Sequence, residues 1–171
     1  KFVARTVDTL LKHVPVMMKR AHAHKGASFV EIFQNCIVYN DGVFGHFTDK
    51  SVATEAQLHL EHGQPMIFGA EQDKGIRLDP EALQLEVVTI GENGITEADI
   101  AIHDETNRSM AMLLATMQPP DFPVALGVLY CAEGQEFVES VQTQVAHAKS
   151  KAEPLPKNEL LRSGHTWTVG V

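Results

Sequence analysis

The chain has 171 residues, 44% apolar and 21% charged, with 14 basic and 22 acidic side chains. A chain of this length buries roughly 70% of its unfolded surface, so an ordinary core forms without staples, in one domain or one domain with an extension. Seven basic face four acidic side chains over residues 1–50, but seven face eighteen over the remainder; that acidity argues against nucleic acid, which needs clustered cations.

No apolar run reaches membrane-spanning length, and no charged-then-apolar leader opens the chain. No membrane partner is expected. Two cysteines, Cys36 and Cys131, make no disulfide framework and fit a reducing compartment, so a cytoplasmic location is expected. The chain opens on Lys1 without Met. It is expected to be a fragment of a longer polypeptide, or one numbered from an internal point.

In chain order, Phe2–Arg5 reads as a short strand. Thr6 or Asp8 is the expected cap of a following helix. Leu10, Leu11, Val14, Met17, Met18 and Ala21 recur at helical spacing, and Pro15 inside that pattern is expected to bend or break it. Gly26 reads as the C-cap. Ser28–Gln34 is β-branched and aromatic and reads as a second strand, parallel and adjacent to the first. Asn35 and Cys36 then stand at its carboxyl end, where α/β proteins open their ligand crevice.

Residues 40–50 read as a loop, with Asn40-Asp41-Gly42 a turn signal. Ser51–Leu60 reads as a short helix. Pro65–Gly69 reads as a short strand or buried turn, and Leu85–Ile90 as a strand followed by a turn at residues 91–94. Ala98–His103 is ambiguous between helix and strand. Asn107–Met117 reads as a buried helix, Phe122–Tyr130 as a strand, and Glu136–Lys151 as a helix striped by Phe137, Val138, Val141 and Val145. Residues 152–171 read as a tail. The first 40 residues form a tight α/β unit and the rest is more irregular, so a boundary is expected near residue 43.

Cys36 has two readings. Spacing alone favours a small buried hydrophobe; the alternative is a thiolate ligand for iron or another soft metal, which needs further thiols from elsewhere. Cys131 reads as core or an ordinary surface thiol. His22 and His24 diverge on their helix. His59 and His62 share a face only if their segment is helical, a weak metal signal. His46 follows Cys36 by ten positions, a conceivable Cys–His nucleophile pair with no third orienting group. Glu31 reads as a side chain facing solvent or a subunit. No Gly-rich dinucleotide fingerprint, phosphate loop or calcium-loop pattern is present in the sequence.

Four segments in order, FVARTVD, HKGASFVEIFQNCIVYNDGVF, HLEHGQPMIFG and DKGIRLD, resemble the carboxyl-terminal half of a 2-oxoacid:ferredoxin oxidoreductase β subunit, the thiamine-diphosphate-binding subunit of enzymes acting on 2-oxoglutarate or pyruvate. The likeness is dense to about residue 90 and looser to the closing GHTWTV. It implies an α/β chain: the end of a three-layer parallel-sheet thiamine-diphosphate fold over residues 1–42, then an irregular α+β extension over 43–171. It implies thiamine diphosphate, Mg2+ and a [4Fe–4S] cluster as cofactors of the complete subunit. The family's fourth cluster cysteine falls in a stretch matched by Asn35–Asn40, which places that metal ligand at Cys36. Asn35, Asn40 and Asp41 read either as a plain turn or as groups supporting that ligand. The implied partners are an α subunit, ferredoxin, coenzyme A and the 2-oxoacid. The family's early cysteines and its magnesium-binding GDGD…NN pattern are absent from this sequence, so the isolated chain is expected to be inactive. No catalytic or substrate-binding residue is assigned. The alternative is a non-catalytic interaction or assembly module that keeps the fold without cofactors.

Overall fold

A computed structural model describes residues 1–151, 155–167 and 169–170. The chain forms two compact units, Lys1–Gly134 and Gln135–Val171. In the first, β1 (Phe2–Val7), α1 (His13–Ala23) and β2 (Ser28–Phe33) make the expected strand–helix–strand unit, with the strands parallel and Ala4 opposite Val30. Short helical turns α2 (Gly45–Thr48) and α3 (Ala53–Ala56) lead into β3 (Gln57–Leu60). β4 (Ile67–Phe68), β5 (Lys74–Asp79) and β6 (Gln84–Thr89) form a small antiparallel sheet. α4 (Arg108–Thr116) and β7 (Val124–Cys131) complete the unit.

The main sheet has the order β2-β1-β7-β3. β7 runs antiparallel to β1 and parallel to β3. The fold is therefore mixed α/β, with strands from beyond residue 43 closing onto the sheet that β1 and β2 begin. Neighbouring β7 residues face opposite ways. Val128 packs with Phe2, Ala4 and Met17 of α1, while Ala125 and Leu129 pack with Leu114 of α4 and with Leu58, Leu60, Ile76 and Leu85. The two helices thus cover opposite faces of the sheet. A side chain such as Leu114, fully buried here, contributes roughly 1.5–3 kcal/mol by leaving water.

Several expectations are corrected. α1 begins at His13, not after Thr6 or Asp8. Thr6 stays in the strand, and its hydroxyl shares a 2.7 Å hydrogen bond with His13 Nδ1; Asp8 instead accepts from the Asn35 backbone at 3.0 Å. Pro15 therefore falls in the first helical turn, where the N–H that proline lacks would have no intrahelical partner, and the helix continues unbroken to Ala23. The helix expected over Ser51–Leu60 is one turn only; Gln57–Leu60 is strand, because Leu58 and Leu60 alternate into the core. The ambiguous stretch is a 3-10 turn at Glu97–Asp99, held by reciprocal bonds between Thr96 and Asp99, after which Ile102 bridges Pro65. β5 received no assignment from sequence.

The second unit contains α5 (Phe137–Lys151) and the short α6 (Lys157–Leu160). α5 has no buried residue, and its stripe is open, with Phe137 83% exposed. The expected tail at residues 152–171 falls partly on residues 152–154, 168 and 171, outside the described residues.

Candidate functional site

β2 ends at Phe33, and the chain then folds into a tight loop. Asn40 N–H donates to the Cys36 carbonyl at 2.9 Å, and the two residues form a local β-bridge. Three polar side chains brace this loop. The Asn35 side chain donates to Asp41 Oδ1 and accepts from the Gly42 backbone, both at 2.8 Å, while the Asn35 backbone is tied to Asp8 at the end of β1. Gly42 takes φ +73°, a left-handed turn that suits glycine.

Within the loop Cys36 is a free, exposed thiol. The reading of it as a small buried hydrophobe is overturned: residues 34–40 lie past the last β1–β2 pair and are all exposed. The backbone N–H of Tyr39, then that of Val38, and more weakly that of Asn40, turn toward the sulfur and hold its pKa below the ordinary thiol value. Such amides favour thiolate over thiol, the form that ligates metals. Ile37, Val38 and Tyr39 around it are 77%, 77% and 91% exposed.

The remaining candidates separate from this loop. Glu31 does not face solvent alone. It pairs with Arg5 directly across β1–β2 at 2.6 Å, and the guanidinium also lies 5.5 Å over the Phe33 ring. His46 sits in α2 with its ring edge-on to Phe47 and makes no described contact with Cys36. His59 is in β3 and His62 in the following turn, so no helix face joins them; His62 accepts from the Glu105 backbone at 3.2 Å and lies 3.7 Å from Asp104. His22 is exposed, whereas His24 turns inward to Phe2, its Nδ1 3.9 Å from the half-buried Cys131 thiol.

A second polar cluster was not visible from sequence spacing. His13 and His59 meet edge to face with ring centroids 6.0 Å apart, and His13 is held by the buried Thr6 hydroxyl. Burial and mutual repulsion lower the pKa of His13, and burial lowers that of His59. His59, Gln57, Glu61 and Gln64 line an open cleft of about 600 Å3. Only the pairing of β3 to β7 and of β7 to β1 brings residues 13 and 59 together. Among the described residues no three His, Cys, Asp or Glu side chains converge to hold a metal ion, and no helix is long and apolar enough to cross a membrane.

In class, then, this is a mixed α/β protein that presents a free, exposed thiol just past the carboxyl end of a parallel strand. Among curated proteins, it is similar to the 2-oxoglutarate oxidoreductase subunit KorB of Mycobacterium tuberculosis, with 28% identity over 98% of this chain. The chain spans 45% of that relative's length. The resemblance drawn from the four sequence segments is thereby matched over nearly the whole chain. No family model matches, and no solved structure matches.

Proposed function

We propose that this chain is a portion of the β subunit of a 2-oxoacid:ferredoxin oxidoreductase, which oxidatively decarboxylates 2-oxoglutarate or pyruvate to acyl-CoA and CO2. Residues 1–42 are the carboxyl-terminal part of its thiamine-diphosphate domain, and residues 43–171 its extension. The observation that carries the reading is the free, exposed Cys36 thiol just past the carboxyl end of β2. An accessible, thiolate-favouring sulfur with amide donors fits one corner of a [4Fe–4S] cluster, whose potential such donors tune.

Cys36 would hold one iron. Asn35, Asp41 and Asp8 would keep its loop in place through the bonds described above. When bound, the cluster supplies one-electron transfer to ferredoxin, and thiamine diphosphate with Mg2+ supplies carbanion stabilisation at the keto carbon. The other cluster thiolates and the ligands of thiamine diphosphate and Mg2+ come from polypeptide beyond this chain, so the isolated chain is inactive. The partners are the α subunit, ferredoxin, coenzyme A and the 2-oxoacid, in the cytoplasm.

The test is Cys36→Ser in the assembled enzyme. Bound iron and ferredoxin reduction are expected to fall by about tenfold or more, with the assembly intact. Iron and reduction equal to those of the unsubstituted enzyme would sink the assignment. The chain's two cysteines favour one other reading, a non-catalytic assembly module; an assembly lacking iron with Cys36 intact supports it.

A further inference from the structure

Two imidazoles meet where the start of α1 approaches the edge strand β3: His13 and His59, with ring centres 6.0 Å apart and planes at 90°. Core packing does not account for the pair, because His59 is exposed while Leu58 and Leu60 on either side of it take the core. Among the described residues, none hydrogen-bonds to a ring nitrogen of His59 or to Nε2 of His13, and none of these nitrogens is shut off from solvent. His13 Nδ1 is tied at 2.7 Å to the hydroxyl of Thr6, which is fully buried. With Nδ1–H donating to that oxygen, the ring and its tautomer are fixed and Nε2 carries the free lone pair. A supporting hydrogen bond of this kind holds metal-ligating histidines in place.

The spacing suits a shared ion. An ion bonded at about 2.0–2.1 Å to one nitrogen of each ring sets the centres of two tetrahedrally placed rings roughly 5 Å apart. Rotation of the exposed His59 side chain supplies the small closure from 6.0 Å.

The surroundings select a cation over an anion. The cleft beside His59 is lined by Glu61 and, among the described residues, by no Lys or Arg. Glu61 follows His59 by two positions, the spacing that puts side chains on one face of an extended chain, and its carboxylate favours positive charge at His59. Burial keeps both rings neutral near pH 7, as does their mutual repulsion at His13; neutral imidazole is the form that binds metal, whereas an anion would need it protonated. The amino end of α1 resists a cation, and the Glu61 carboxylate offsets that. Three such side chains do not converge as they stand, so Glu61 has to turn toward the pair to join it.

We propose that His13 and His59 together bind one divalent first-row metal ion of the Zn2+ class, with Glu61 and water in the remaining positions, and that the ion ties the start of α1 to the edge strand β3. Imidazole with carboxylate and water suits zinc and its neighbours in the row. The site is separate from Cys36 and stands whether or not that thiol carries iron.

The test titrates the metal-free chain with Zn2+ alone. One ion per chain is expected, and the imidazole proton resonances of His13 and His59 should shift while those of His22 and His147 stay in place. His13→Asn and His59→Asn should each weaken zinc binding by about tenfold or more, and Glu61→Gln by less. His22→Asn, in the same helix, should leave it unchanged. Zinc should raise the melting temperature of the parent and not that of the double variant His13→Asn/His59→Asn. Circular dichroism of the metal-free variants checks that they fold, and the resonance shifts in the parent need no variant at all.

Unshifted His13 and His59 resonances overturn the inference, as does parental affinity in both histidine variants. Zinc binding that survives those variants but is lost in Cys131→Ser would assign the ion to the Cys131–His24 pair, whose atoms lie 3.9 Å apart, and would also overturn it. Iron content in Cys36→Ser reads the functional proposal separately and has no bearing on this site.

Discussion

Cys36 shows how a single residue's chemistry is decided by its backbone. A cysteine after an apolar strand is ordinarily packed like a small hydrophobe. Here the chain turns at once and leaves the thiol exposed, its pKa held below the ordinary value chiefly by the Tyr39 and Val38 backbone N–H groups. Three histidines go the other way. Burial lowers the pKa of His13, His59 and His103; His103 is 1% exposed, with Nε2 donating to the Val128 carbonyl at 2.8 Å. The unfolded chain binds protons at these sites from about pH 6.5 downward, where the folded chain resists them. Stability is therefore unaffected by these groups above that pH and falls as pH drops from about 6.5 toward the folded values. Urea unfolding at pH 7.5 and 5.5 should show the loss, and His13→Asn with His59→Asn should reduce it. A stability that rises on acidification, or an undiminished loss in the double variant, would contradict this account.

At the scale of elements, β7 holds the molecule together. It runs between β1 and β3, and its Gly127 takes φ +122° where Leu60 of β3 crowds in. A Cβ there would stand 2.8 Å from the Leu60 carbonyl oxygen. Gly127→Ala is expected to destabilise the protein by more than about 1 kcal/mol, read from urea unfolding, through strain at positive φ and displacement of β3. An unfolding midpoint equal to the parent's would show that β3 yields freely. The same strand marks a limit of sequence reading. Residues 51–60 were expected to be helical, but Leu58 and Leu60 recur with period two and are drawn into the core as a strand. Four residues are too few for periodicity to decide; the partner strand, more than sixty positions later in the sequence, decided it.

For the whole molecule, every buried residue among those described lies in Lys1–Gly134, and α5 buries none. A chain ending at Gly134 is therefore expected to melt within about 2 °C of the full chain by calorimetry. A fall of more than about 5 °C would mean that the Phe137–Val145 stripe stabilises the first unit. Local patterns were sufficient for β1, α1, β2, α4 and α5, because each is written in consecutive side chains of one period or composition; the cap at Asn107, which accepts from Met110 N–H at 3.1 Å, was not read from them. They were also sufficient to place Cys36 at a parallel strand's carboxyl end and to suggest the subunit resemblance. Local patterns had no access to the Arg5–Glu31 pair, the meeting of His13 with His59, the exposure of the Cys36 sulfur or the open edge of β2. Those depend on which strands lie side by side and on where the sheet stops, and strand order is set by contacts between residues as far apart as Phe2 and Cys131.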